Sequence, residues 1–224
     1  MSKFAIHQPN YLPWWGYFSK IASVDYFLFL DHVVFPQGKS FTSRVQIRTP
    51  DGIKWLTVPV ERKTGLSIKD VKIIGNNWKR KHKKTLQLSY QNSKNGYRWI
   101  DLVQSEIDYP TNYLSDFNIN LIVKLARHIG MSTTFYRTSD LRLPQKFNSE
   151  SIVKIAEILG AETYLSGNGL GSVKTVNKEY LQSKGIQLQW QDDQDAMGVL
   201  GDRITEADKK LSIVDALSLN EIYF

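Results

Sequence analysis

Five consecutive large apolar residues, Tyr26-Phe27-Leu28-Phe29-Leu30, stand between Asp25 and Asp31, and this stretch restricts the fold more than any other. A strand with one wet face alternates polar and apolar side chains. A strand apolar on both faces needs cover above and below, the condition met inside a parallel sheet. Parallel neighbours in turn need crossover connections, usually helices. The preceding residues supply one. Phe4-Ala5-Ile6 is a short apolar run, His7-Gln8-Pro9-Asn10 and Pro13 form a stiff polar turn, and Trp14, Tyr17, Phe18 and Ile21 recur at helical spacing. The opening reads as a βαβ unit.

From residue 35 the texture changes. Val45 and Ile47 alternate with polar partners, Thr49-Pro50-Asp51-Gly52 is a turn signal, and Trp55-Leu56-Thr57-Val58-Pro59-Val60 reads as a returning strand. Helical spacing runs from Trp78 to about Asp108, broken at Asn92–Gly96, and a long helix capped at Thr111 carries Tyr113, Phe117, Leu121, Leu125 and Ile129 up to Gly130. Strand and helix then alternate: strands near Thr134–Arg137, Thr163–Leu165 and Gln187–Trp190, helices from Ser149 to Gly160, near Asn177–Ser183 and over Thr205–Leu217. The pattern predicts an α/β protein, a Rossmann-like three-layer domain with a mainly parallel sheet and a β-hairpin plus helical insertion at 35–110. No linker or internal repeat divides the 224 residues, so one domain over 1–224 is expected.

The chemistry available is bounded by composition. There are no cysteines, which excludes disulfides, thiolate metal sites and a thiol nucleophile. Neither a run of about 20 apolar residues nor a signal-peptide layout after Met1-Ser2-Lys3 is present, so a cytoplasmic protein without membrane insertion is expected. A formal charge of +7 favours anionic partners such as phosphates and nucleotides.

Two loops are candidate sites. His7, Gln8, Asn10, Tyr11 and Trp14 follow the first strand, where open α/β sheets bind ligands, and Pro9 and Pro13 limit the shapes that loop can take. Ser166 and Gly167 begin a Gly-rich turn, Gly167-Asn168-Gly169-Leu170-Gly171-Ser172, whose amides could face an anion on the same sheet edge. That turn matches neither the dinucleotide fingerprint nor the phosphate-loop pattern. The run Lys79-Arg80-Lys81-His82-Lys83-Lys84 carries five cations, yet no nucleic-acid module frames it, which argues against sequence-specific nucleic-acid binding and for Lys81 or His82 as phosphate anchors. Asp31 with an imidazole suits general-base work, and Arg44 suits phosphate or carboxylate recognition. No His-x-x-His or His-x-Glu spacing supports a metal site.

The string His7-Gln8-Pro9-Asn10-Tyr11-Leu12-Pro13-Trp14-Trp15-Gly16-Tyr17-Phe18-Ser19-Lys20-Ile21 closely resembles the opening signature of the WbqC-like family of bacterial proteins. The resemblance continues at Asp31, at Arg44 within Phe41–Ile47, at Trp55–Val60, at Trp78, Lys81-His82 and Lys84-Thr85, at Tyr164-Leu165-Ser166-Gly167 and at Leu211-Ser212-Ile213-Val214-Asp215. It departs at Gly169–Val173, where the family has an aromatic-Leu pair, and between Asp192 and Asp202, where a Pro- and Tyr-containing pattern is missing.

The resemblance implies a role in bacterial surface-polysaccharide (O-antigen) assembly. Joined to the residues, it suggests a transferase that moves an acyl or aminoacyl group onto the amine of a nucleotide-linked sugar. His7 would be acid/base or oxyanion partner, aided by Asp31. Gln8, Asn10, Tyr11 and Trp14 would orient the substrate, Arg44, Lys81 and His82 would hold phosphates, and Ser166 and Gly167 would supply backbone donors. ATP or another activated acyl donor would be the co-substrate. Two alternatives stay open: an ATP-using nucleotidyl or adenylyl transferase or ligase, and a non-catalytic sugar-binding or scaffold protein stacking sugars on its Trp and Tyr residues.

Overall fold

A computed structural model describes residues 2–192 and 210–219. The apolar run at 26–30 is there as β2 (Tyr26–Phe29), paired in parallel on one side with β1 (Lys3–His7) and on the other with β5 (Thr134–Arg137). β6 (Thr163–Ser166) lies against the free edge of β1, and β7 (Gln187–Trp190) against β6, giving a five-stranded sheet of order β5-β2-β1-β6-β7 with every pairing parallel. The chain winds outward from β1 through β2 to β5, then returns to the centre and winds the other way. The reversal falls between β1 and β6, and its crevice opens at their carboxyl ends.

Each sheet face carries its own core. On one, Ala5, Phe27 and Phe29 meet α1 (Trp15–Ala22), α4 (Leu114–Ile129) and α8 (Ile213–Leu219). On the other, Phe4, Ile6, Leu28 and Tyr164 meet α5 (Ser149–Leu159) and α7 (Lys178–Ser183). The insertion holds the antiparallel hairpin β3 (Arg44–Thr49) and β4 (Gly52–Thr57), then α2 (Asn77–Tyr90) and α3 (Gly96–Ile107). Gly130 and Gly160 end α4 and α5 in the left-handed conformation, as their sequence positions predict. α5 begins at Ser149 as expected and is capped by an Asn148–Ser151 capping box.

One expectation is corrected. The Gly-rich turn does not stay irregular, because Gly169 precedes a short helix, α6 (Leu170–Thr175). The helix expected over Thr205–Leu217 starts outside the described residues; within them α8 begins only at Ile213, and Leu211 and Ser212 are in bridges instead; the departure from the family pattern at 193–202 also lies outside the described residues. Leu211 and Ser212 form bridges to Gln46 and Trp14, and the Ile213 amide donates to the Pro13 carbonyl at 2.8 Å, fastening the first loop to the hairpin.

Candidate functional site

β1 delivers His7 to the carboxyl edge of the sheet, half-buried, with its ring edge-on to Trp14 and Tyr17 at 5.6 and 4.8 Å between centroids. His7 Nδ1 lies 3.1 Å from the Gln8 carbonyl. A carbonyl only accepts, so Nδ1 carries the hydrogen and Nε2 presents a lone pair. Burial, and then the nearby charge of Lys20, hold the ring far below its usual 6.5, at about 3. His7 is therefore a neutral imidazole at physiological pH.

The loop that follows is held from several sides. The Tyr17 hydroxyl donates to the same Gln8 carbonyl at 2.9 Å, and Asn118 Nδ2 donates to the Pro9 and Thr42 carbonyls, both at 2.8 Å. Buried Asn10 accepts from the Thr42 hydroxyl at 3.4 Å. Leu12 is fully buried with φ at 41°, a left-handed backbone that a bulky side chain rarely takes and that stores about 1–3 kcal/mol. Strain of this kind persists only where the surroundings fix it.

The second loop meets the first. The β1–β6 register aligns Ala5 with Leu165, so its continuation sets His7 beside Gly167. Lys20, 3% exposed, closes the arrangement: its ammonium lies 3.0 Å from where a Gly167 Cβ would stand, with Ser172 Oγ at 3.7 Å from the same point. A side chain at 167 would press on the end of Lys20, while the backbone there is not left-handed. Ser166 is buried and donates to the Gly167 carbonyl at 3.2 Å. Beside this junction a cavity of about 620 Å³ is lined by His7, Gln8, Tyr164, Ser172 and an apolar wall including Ile6, Leu30, Val34, Phe147 and Val176. Its size is within the range of small-ligand pockets.

The other sequence candidates fall elsewhere. Tyr11 is fully buried, stacked on Phe117 and His82, with its hydroxyl 2.9 Å from His82 Nδ1. His82 is 5% exposed, and burial lowers it to about 4 against the opposing effect of a bond to the Thr57 backbone. The two form an interior pair behind the loop, off the cavity wall. Asp31 is fully buried and accepts from Arg137 Nε at 2.8 Å and from the Ser139 amide and hydroxyl, both at 2.9 Å. Arg137 continues to Asp116 at 2.6 Å. This network ties β2 to β5 and α4, and Asp31 does not line the cavity.

Lys81 is exposed on α2, and Lys79, Arg80, Lys83 and Lys84 line a separate basic hollow in which Lys83 pairs with Asp108. Arg44 stacks its guanidinium 3.8 Å over the Trp55 ring. Phe41 lies between Trp55 and Trp14, at 5.8 and 6.0 Å, so a row of rings runs from His7 to Arg44. Among the described residues no group of three or more metal-ligating side chains gathers, and no helix is long and apolar enough to cross a membrane. Sequence reasoning passed over Lys20 and Asn118. The signal for Lys20 was there, because it lies three residues after Tyr17 on the inward stripe of α1.

The buried histidines predict a pH dependence. In the unfolded chain His7 and His82 titrate near 6.5, whereas folded they resist protonation until about 3 and about 4. Below pH 6.5 the unfolded state takes up protons that the folded state refuses, so stability falls with pH, by up to about 1.4 kcal/mol per pH unit per histidine. Melting curves between pH 6.5 and 5, above the carboxylate range, should show a falling Tm, with a shallower slope in His82→Gln. A flat Tm over that window would contradict the neutral burial of both rings.

Fold and geometry together define a parallel α/β protein with a cavity at its switch point, lined in part by His7. The sequence model of the WbqC-like protein family matches residues 8–222, and the chain belongs to that family. It is similar to the uncharacterized protein Rv1507c of Mycobacterium tuberculosis, 29% identical over 195 residues that cover 86% of this chain and 83% of that protein. No solved structure matches the chain.

Proposed function

We propose that the protein is a transferase that acylates the amine of a nucleotide-linked sugar, with His7 as its base. The observation that carries this reading is the neutral His7 ring, fixed through Nδ1 to the Gln8 carbonyl at the mouth of the switch-point cavity. In the reaction the sugar nitrogen attacks the carbonyl carbon of an activated acyl donor, an acyl adenylate or thioester. The C–N bond forms and the bond to the leaving group breaks. The nitrogen's proton passes to His7 Nε2 and from there to the leaving group. On this reading the Gly167 backbone and the Lys20 ammonium, which lies 3.0 Å from where a Gly167 Cβ would stand, would receive the developing oxyanion. The placement in bacterial surface-polysaccharide assembly is supported by the family resemblance alone.

A second reading, ATP-using adenylyl transfer, is favoured by the buried Lys20 beside His7 and Gly167, which suits a phosphate as well as an oxyanion. A thermal-shift screen of the purified protein against nucleotide sugars, ATP and free amino acids tests both, since a ligand selective for the folded state raises its stability. The expected result is a rise in Tm with a nucleotide-linked amino sugar that is lost in Arg44→Ala. A rise with ATP alone moves the second reading ahead, and no rise across the panel counts against both.

A further inference from the structure

His7 belongs to two surfaces at once. On one side it lines the cavity, whose wall contains none of Trp14, Phe41, Trp55 or Arg44. On the other it begins the row of rings that ends at Arg44. We infer that these are two subsites. The aromatic row takes a sugar ring with Arg44 on its anomeric phosphate, and the cavity takes the acyl donor. This inference rests on the transfer reading above and adds where each substrate lies.

Three observations support the assignment. Phe41 and Trp55 are adjacent and 38% and 40% exposed, which leaves apolar ring surface in water. The apolar C–H face of a pyranose packs on such rings while its hydroxyls stay solvated. The row ends in a cation: a guanidinium stacked on an indole keeps its in-plane N–H edge available for a phosphate. The cavity differs from the row: an apolar side that includes Ile6, Leu30, Val33 and Val176 suits an acyl chain, and Gln145 and Lys146 on its polar side suit the group that activates the chain. Two-substrate transfer requires both reactants at one base, and His7 is common to both surfaces.

The test is calorimetric titration with glucosamine 1-phosphate against the wild-type protein and against Trp55→Ala, Arg44→Gln and Val34→Trp, the last placed to narrow the cavity mouth at an exposed position. Circular dichroism checks that each variant is folded. The expected result is affinity weakened about tenfold or more in Trp55→Ala and Arg44→Gln, and within about twofold of wild type in Val34→Trp. Glucosamine without phosphate should bind more weakly and show no dependence on Arg44. Parallel titrations with a uridine diphosphate-linked and a prenyl diphosphate-linked amino sugar identify the carrier; dependence on Trp55 in either one supports the row. Binding abolished by Val34→Trp but unaffected by Trp55→Ala, or no binding at millimolar concentration, overturns the assignment. His7→Gln should retain the binding. Failure of the transfer reading therefore appears as absent acylated product with sugar binding intact, and failure of the subsite assignment as product formation that ignores Trp55.

Discussion

His7→Gln is expected to lower kcat for sugar acylation by roughly 10²–10⁴-fold, the usual contribution of a positioned acid–base group. The fold should be little disturbed, because the ring is half-buried and its one hydrogen bond goes to a neighbouring carbonyl. His7→Phe sharpens the comparison. It retains a ring against Trp14 and Tyr17 while removing the lone pair, so a packing role would leave it active and a base role would not. Initial rates by mass spectrometry of the acylated sugar decide between them. The pH profile adds an independent check. A histidine held near 3 keeps its base form across pH 5–8, so kcat/KM should show no acid limb near 6.5. A limb at that pH would mean that an ordinary, solvated imidazole performs the step.

The second large effect is expected at Asp31. Its carboxylate is fully buried and accepts from Arg137 and twice from Ser139, so Asp31→Ala leaves the Arg137 guanidinium paired only with Asp116 and strands the Ser139 donors. Arg137 is 30% exposed and keeps Asp116, so the loss stands at the low end of the range for breaking a buried ion pair, about 3 kcal/mol. For a chain of this length that lowers Tm on the order of 10 °C. Activity per folded molecule should fall less than in His7→Gln, since Asp31 acts by holding the edge of the sheet. A Tm within a degree of wild type would remove the network from the account, and a kcat loss as large as that of His7→Gln would return Asp31 to the chemistry.

What the sequence disclosed depended on whether the signal was local. The double-faced strand at 26–29, the helix from 114 to 129 with its terminal glycine, and the hairpin are each set by spacing within a few residues, and the structure has all three. The first loop was recognisable because prolines and hydrogen-bonding residues sat after a strand. Which of its side chains face inward was not recognisable, because a loop has no period. Tyr11 thus pairs with His82, 71 residues away, while His7 reaches the cavity edge. Asp31 finds Arg137 and Ser139 more than a hundred residues downstream, at a separation where no pattern rule operates. Lys20 was read as part of a signature and not as a charge, although a lysine on the buried stripe of a short helix is itself unusual.

The position of β1 also governs when the protein can fold. Of the sheet's five strands the earliest in the sequence is the central one, and its second neighbour, β6, begins at Thr163, with the Glu162 amide reaching back to the Ser2 carbonyl across the whole intervening chain. A nascent chain released through β5 still has one edge of its central strand unpaired, and the Ile213-to-Pro13 bond that pins the ligand loop comes later still. Such high contact order slows folding and prolongs exposure of a sticky edge on the ribosome. The candidate site around His7 is consequently among the last regions of the molecule to become complete.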